Sequence, residues 1–215
     1  MSTRKIASRI SLSRAILKAA IPALAMGLVL PAPAWAAFSD GYKFLEAVKK
    51  KEGEKVEQAV MDSASIVNAR DVTSGETALH IVTRRRDRTW LSYLIGKGAN
   101  VNQGDDHGLT PLQLAINLGW RDGAEFLVEH GARTDVSNDA GETPLISAVH
   151  RHDTQLVKVL LEAGADPDMA DNSGRSARDY AKLEGEEGSS LLTTIDTYAK
   201  KGASKSSRPV YGPVL

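Results

Sequence analysis

The apolar residues recur at helical spacing in three consecutive stretches. Each stretch places apolar side chains three and four positions apart: Leu91, Leu94, Ile95, then Ala124, Leu127, Val128, then Val157, Leu160, Leu161. This spacing puts the apolar side chains on one face of an α-helix. Each stretch ends at a Gly-Ala pair, and Gly ends a helix readily because it adopts the left-handed conformation that is needed there. The pattern predicts three similar helices, each with one buried face.

A shorter apolar helix is predicted before each of these. It starts at Thr-Ala-Leu or Thr-Pro-Leu, as in Thr110-Pro111-Leu112, where Thr caps the helix and Pro suits its first turn. The glycine before this start recurs every 33 residues, at Gly75, Gly108, Gly141 and Gly174. Whole helix pairs therefore repeat at a fixed length, which is the pattern of a repeat protein.

These residues resemble the ankyrin repeat. The matching segments are Gly75-Glu76-Thr77-Ala78-Leu79-His80, Gly108-Leu109-Thr110-Pro111-Leu112 and Gly164-Ala165-Asp166-Pro167-Asp168, and the resemblance covers about residues 40–200. It implies an all-α repeat solenoid of stacked helix-turn-helix units with β-hairpin fingers at right angles, used in that family to bind proteins. By the same resemblance, His80 is implied to hydrogen-bond neighbouring loops.

Three units carry the motif and two flanking units lack it. Within a repeat domain spanning 37–200, we expect an N-terminal cap at 40–70, full repeats at 72–104, 105–137 and 138–170, and a C-terminal cap at 171–200. The end units of a solenoid must present a polar outer face, and both flanking units have charged residues to supply it.

The same period aligns the turns between the paired helices. They fall on Gly53, Arg86, Gly119, His152 and Gly185. A left-handed conformation is wanted at this point, and a residue other than Gly is strained there by about 1 kcal/mol. The alignment therefore predicts strain at Arg86, which replaces the glycine of the first full repeat.

The first 36 residues have the features of a secretory signal peptide. Five basic residues precede an apolar run from Ala19 to Leu30, and the small-residue site Ala34-Trp35-Ala36 follows. The run is 12 residues long, whereas a membrane-spanning helix needs roughly 20 apolar residues. We expect cleavage after Ala36 and delivery to the periplasm of a Gram-negative bacterium. Full secretion and an uncleaved anchor are the alternatives.

Composition excludes several functions. Cleavage would remove five of the 27 basic residues and none of the 27 acidic ones, which leaves a net charge of −5 and no basic footprint for nucleic acid. The chain has no cysteine, so disulfides and thiolate metal sites are excluded. Hydrolase, phosphate-cradling and zinc-protease motifs are absent, and we predict no catalytic residue, metal site or cofactor.

The residues after the last cap are polar and rich in Gly and Ser. This composition predicts a disordered tail at 201–215. The tail ends in a more apolar segment that begins at Pro209. Docking of this segment on a partner or on the last helix is the alternative.

The variable positions of the motif define the candidate partner-binding surface. In ankyrin-like repeats the finger tips and the exposed ends of the first helices line a concave face, which implies the same positions here. The tips are Thr73, Ser74, Glu76, Asp106, His107, Leu109, Asp139, Ala140, Glu142, Asn172, Ser173 and Arg175. The helix ends are Arg84, Arg85, Asn117, Leu118, His150 and Arg151. Because the tips are largely acidic and the helix ends basic, we expect two rows of opposite charge, with ordinary solvated turns as the alternative.

Two tryptophans near the starts of second helices have open roles. We expect Trp90 to pack in the groove between adjacent second helices. Trp120 either stays half-exposed as an anchor for a partner or packs against the neighbouring turn at Arg86.

The sequence predicts a periplasmic protein that binds another protein through its concave face and has no reaction of its own. One alternative, implied by resemblance to periplasmic ankyrin-like proteins, is an accessory protein that supports a catalase or another oxidative-stress enzyme. The others are a secreted effector and an enzyme with an unfamiliar site. The enzyme would need a deep pocket, which a one-layer solenoid seldom forms.

Overall fold

The computed structural model describes residues 34–186 and 188–206. These residues form ten α-helices and no extended strand. The helices are α1 (Ala34–Lys50), α2 (Gly53–Asp62), α3 (Ala78–Arg84), α4 (Arg88–Gly96), α5 (Pro111–Asn117), α6 (Arg121–Glu129), α7 (Pro144–His150), α8 (Thr154–Glu162), α9 (Ala177–Leu183) and α10 (Ser189–Ser206). A short 3₁₀ segment, Ala64–Asn68, follows α2.

The helices form pairs that stack in chain order. The first helices α1, α3, α5, α7 and α9 each pack on the next one, and every first helix also packs on the second helix that follows it. Among the second helices, α6 packs on α8 and α8 packs closely on α10. One apolar cluster, from Phe44 in α1 to Ile195 in α10, is therefore buried continuously through the described stack.

The first helices begin where the Thr-Pro-Leu motif predicts. The hydroxyls of Thr110 and Thr143 accept hydrogen bonds from backbone N–H groups three residues on, at 3.3 and 3.2 Å. Pro111 and Pro144 occupy the first helical positions, where no backbone N–H is needed. Each such cap contributes about 1 kcal/mol to helix stability.

The left-handed turns between paired helices are confirmed in four of the five units. The φ angles are 54° at Arg86, 66° at Gly119, 53° at His152 and 61° at Gly185. The N-terminal cap does not follow the period. There Lys51 takes the left-handed conformation, with φ of 59°, and Gly53 instead begins α2.

The fingers between helix pairs are tight turns with little strand pairing. In the described residues, the only bridges are isolated ones, Arg70 with Thr77 and Ala170 with Ser176. The fingers are therefore turns closed by at most one bridge each, and not the two-stranded β-hairpins that were expected. The tips are held together in a different way, described below.

The two ends of the chain differ in how far the structure describes them. Residues 1–33, which hold most of the predicted signal peptide, lie outside the described residues, and α1 begins at Ala34 within the predicted cleavage site. At the other end α10 continues to Ser206, so the tail predicted from residue 201 begins too early. Residues 207–215 lie outside the described residues. No helix in the described part is long and apolar enough to cross a bilayer.

Candidate functional site

Each finger tip is a turn closed by one aspartate or asparagine side chain. Its Oδ1 accepts a hydrogen bond from the backbone N–H two residues on, which is the geometry of an Asx turn. The pairs are Asp71 with Thr73 at 2.9 Å, Asp105 with His107 at 2.9 Å, Asn138 with Ala140 at 3.0 Å, and Asp171 with Ser173 at 2.8 Å. Hydrogen bonds from the Tyr180 and Ser173 hydroxyls hold the pKa of Asp171 well below its usual range.

Adjacent tips are joined by backbone hydrogen bonds. The N–H groups of Asp106, Asp139 and Asn172 donate to the carbonyls of the preceding tips, at Ser74, His107 and Ala140. The three distances are 3.0, 3.0 and 3.1 Å. We call this series the tip ladder. It fixes the register of all four fingers without using a side chain, so the side chains at the tips are free to vary.

Two glycines make the close approach of the tips possible. Gly75 and Gly141 both have positive φ, at 69° and 77°. A Cβ on Gly75 would lie 2.6 Å from the backbone nitrogen of Asp106, and one on Gly141 would lie 2.6 Å from that of Asn172. At these two positions glycine is therefore required both for the turn and for the tip ladder.

A buried polar side chain connects each of the first two repeats to the next finger. His80 Nδ1 accepts from the Thr77 N–H at 3.1 Å, so its Nε2 carries the proton and donates to the Leu109 carbonyl at 2.8 Å. Gln113 makes the equivalent bond to the Glu142 carbonyl at 2.6 Å. The implied loop-bonding role of His80 is confirmed. Burial lowers the pKa of His80, which keeps the imidazole neutral.

Most of the predicted surface residues are exposed. The exposed ones are Thr73, Arg84, Asp106, His107, Asn117, Asp139, Ala140, His150, Arg151, Asn172, Ser173 and Arg175. The half-buried ones are Ser74, Glu76, Arg85, Leu109, Leu118 and Glu142. Leu109 and Ser74 supply carbonyls to the links between repeats, which explains their partial burial.

The two expected rows contact each other through side chains within single repeats. Arg84 donates to Glu76, and His150 Nδ1 lies 3.3 Å from a Glu142 carboxylate oxygen. The Ser147 hydroxyl also donates to Glu142 at 2.9 Å. Arg84 and Glu76 compensate each other, so the expected separation of charge does not hold at this pair.

Arginines after the first helices bind the ends of neighbouring helices. Arg85 donates to the Lys49 carbonyl at 3.2 Å and also to the Val48 carbonyl, and Arg151 donates to the Asn117 carbonyl at 3.0 Å. These carbonyls lie at helix C-termini, where the helix itself provides no donor. Arg85 was predicted to contact a partner, but its half-buried guanidinium already bonds the preceding unit. Arg151 remains exposed while making its bond.

Two family models match the chain over overlapping segments. A model of ankyrin repeats in three copies matches residues 44–138, and a model of ankyrin repeats in many copies matches residues 127–181. The chain belongs to the ankyrin-repeat family. It is also 34% identical over 59 residues to the putative ankyrin repeat protein FPV031 of fowlpox virus (strain NVSL). That match covers 27% of this chain and 17% of the viral protein.

The two tryptophans of the ankyrin-repeat stack are both partly buried. The Trp120 ring lies against Gly123, where any added Cβ would overlap it, so Trp120 packs within its own repeat. Trp90 packs partly on the core, as expected, but it also lines an open pocket of about 230 Å³. The other lining residues are Gly53, Glu57, Thr89 and Tyr93.

Sequence reasoning missed this pocket in the ankyrin-repeat stack. Glu57 and Tyr93 belong to different units, and neither occupies a motif position. The only local signal was an aromatic pair, Trp90 and Tyr93, three residues apart on one helix face. Among the described residues, no three His, Cys, Asp or Glu side chains are grouped so that they could hold a metal ion.

Proposed function

We propose that the chain is an exported, periplasmic protein that binds a partner protein through a concave face formed by the finger tips and the ends of the first helices. Ankyrin repeats are generally protein–protein interaction modules. The proposal assigns the chain no reaction of its own. The partner is a protein with a surface that complements the acidic tips.

The tip ladder is the observation that supports this face. It holds successive tips in register through backbone atoms, so a partner meets a surface that is already ordered and loses less free energy in ordering it. The side chains on that surface project into solvent: His107 is 83% exposed and Asp139 is 70% exposed. Asp106 is also exposed, although Arg70 lies 3.0 Å from it.

Charge reversal on the tips tests the binding face. The double variant Asp106→Lys, Asp139→Lys is compared with Asp122→Lys, Glu129→Lys, which makes the same charge change on exposed positions of α6. Partners captured from a periplasmic extract with the wild-type protein are identified by mass spectrometry, and their association rates are measured at two salt concentrations. We expect the tip variant to slow association by about tenfold at low salt and the α6 variant to leave it nearly unchanged.

The result depends on both variants remaining folded. Asp106 forms one exposed ion pair with Arg70, and such pairs contribute roughly 1 kcal/mol or less. Thermal unfolding should therefore show native cooperativity in both variants. Equal association rates for folded tip and α6 variants would exclude the tips as the binding face.

Export is tested by fractionation and N-terminal sequencing. If the leader is cleaved as proposed, the processed chain begins at Ala37, and large residues at Ala34 and Ala36 block processing. We expect the processed chain in the osmotic-shock fraction. Its accumulation in the culture medium would favour a secreted effector, and an intact leader in the membrane fraction would contradict the periplasmic assignment.

A further inference from the structure

The pocket beside Trp90 lies between two second helices, one from the N-terminal cap and one from the first full repeat. Gly53 and Glu57 come from α2, and Thr89, Trp90 and Tyr93 come from α4. These two helices make few contacts with each other, unlike α8 and α10. We call this space the α2/α4 pocket. None of its lining residues belongs to a finger or to the end of a first helix.

Two aromatic rings form much of the pocket wall. The ring centroids of Trp90 and Tyr93 lie 6.0 Å apart, and the ring planes meet at 69°. Nearly perpendicular rings expose one aromatic face beside one aromatic edge to the same space. Aromatic faces attract cations because their π electrons are negative. Glu57 is the one charged residue in the lining, and its charge is negative as well.

The Tyr93 hydroxyl is an unsatisfied group beside the pocket. It is shielded from water and has no hydrogen-bond partner among the described residues. Because this oxygen is shielded, a ligand in the open pocket contacts the ring of Tyr93 rather than its hydroxyl. The exposed Glu57 carboxylate in the lining can accept N–H bonds, and a primary ammonium group has three such donors.

The chain already places its own cations near both rings. The Lys97 Nζ lies 5.4 Å from the Tyr93 ring centroid, and the Arg85 Cζ lies 5.9 Å from the Trp90 centroid. Arg85 is held by the carbonyl of Lys49 and therefore stays in place. Lys97 is exposed, and it competes for the Tyr93 ring with any cation that enters.

We propose that the α2/α4 pocket binds a primary alkylammonium group, whether on a lysine side chain of another protein or on a free amine. The aromatic walls take the alkyl chain and the positive charge, and Glu57 pairs with the ammonium. The site is separate from the concave face, so tip variants do not affect it.

The test uses the purified protein and a pair of nearly isosteric probes, n-butylammonium and neutral 1-butanol. The indole N–H signal of Trp90 is followed by NMR and identified among the tryptophan signals through the Trp90→Phe variant. We expect n-butylammonium to shift this signal with a Kd in the millimolar range, about fivefold or more tighter than 1-butanol. Equal affinity for the two probes, or no shift up to about 50 mM, overturns the proposal.

The lining residues are tested by two matched variants on α2. Glu57→Gln should weaken n-butylammonium binding by about fivefold, whereas Glu54→Gln, also exposed and outside the lining, should change it by less than about twofold. Lys97→Gln should strengthen binding because it removes the competing cation. Equal effects of Glu57→Gln and Glu54→Gln would assign the binding to general surface charge and refute the site.

A further probe distinguishes the two sources of the ammonium. N-acetyl-lysine N-methylamide carries the same group on a peptide backbone. Tighter binding than n-butylammonium identifies a lysine of a partner protein as the occupant, and weaker binding identifies a free amine. Binding of either probe to the protein with Glu57 intact supports the proposal. If neither probe binds, the amine site is refuted and the tip experiments are unaffected.

Discussion

The left-handed turn at Arg86 can be tested by comparing glycine with alanine at one position. Both Arg86→Ala and Arg86→Gly remove the hydrogen bond that the guanidinium donates to the Leu118 carbonyl. They differ in the backbone, because only Gly adopts the φ of 54° without strain. Arg151 is the matched control: it also donates to a helix-end carbonyl, at Asn117, but its φ is −91°.

The expected magnitudes follow from two opposing terms. Glycine loses more conformational freedom on folding than alanine, which costs about 0.7 kcal/mol at either position. At Arg86 alanine also bears a left-handed strain of about 1.2 kcal/mol, which glycine avoids. We therefore expect Arg86→Gly to be about 0.5 kcal/mol more stable than Arg86→Ala, and Arg151→Gly to be about 0.7 kcal/mol less stable than Arg151→Ala.

The hydrogen bond to Leu118 changes the expected stability of Arg86→Gly relative to the wild-type protein. From the sequence alone, Arg86→Gly should stabilise the chain by about 0.5 kcal/mol. Loss of an exposed hydrogen bond from a charged donor costs a similar amount, so the structure predicts a nearly neutral change. Arg86→Ala loses the bond and keeps the strain, so it is destabilised by about 0.5 to 1 kcal/mol.

Equilibrium unfolding in urea, followed by far-ultraviolet circular dichroism, measures all four variants. Midpoints are compared at a common m-value, which cancels most of the extrapolation error. The decisive result is that glycine is more stable than alanine at position 86 and less stable than alanine at position 151. If alanine is as stable as glycine at Arg86, or if both positions give the same order, the turn does not carry the assigned strain.

Two further predictions concern the links between repeats. Gly174 has positive φ with open space around it, so Gly174→Ala should cost only about 1 kcal/mol of strain. Gly141→Ala should cost about 3 kcal/mol, because the added Cβ meets the backbone of Asn172. Comparable midpoints of the two variants in urea unfolding would refute the tip ladder. Burial lowers the pKa of His80 below 6.5, so the unfolded chain binds more protons than the folded one. The free energy of unfolding therefore falls as the pH is lowered from about 7 to about 5. His80→Gln, which can form the same bonds as Gln113, should flatten this pH dependence in urea unfolding at both pH values, and an unchanged slope would contradict the assignment.

The repeat and its local turns could be predicted from the sequence because they depend on residues close together in the chain. The Thr-Pro start of α5 and the left-handed turn at Gly119 each lie within one helix end. Their geometry follows from capping and backbone sterics, which do not need distant contacts. The period of left-handed turns failed only in the N-terminal cap, where α1 ends at Lys50 and the left-handed residue is Lys51 rather than Gly53.

The partners of the long polar side chains were decided by the stacking of the units. Arg84 and Arg85 are adjacent in the sequence, yet Arg84 pairs with Glu76 while Arg85 binds the end of α1. The sequence could not distinguish these two partners, since a long arginine side chain reaches any acceptor within several ångströms of its Cα. The expected separation of charge therefore failed at Glu76, because Arg84 of the same repeat lies close enough to pair with it.

The α2/α4 pocket shows most clearly what the sequence did not contain. Glu57 lies in a unit without the motif, and Trp90 lies in the first full repeat. Each residue alone is typical of an exposed or partly packed helix position. The helical period predicted which face of α4 is buried, but the gap between α2 and α4 depends on how their side chains fill the space across the stack. Only the packed structure determines the volume of that gap, because the volume depends on the shapes of the side chains that meet between units and not on the repeat period.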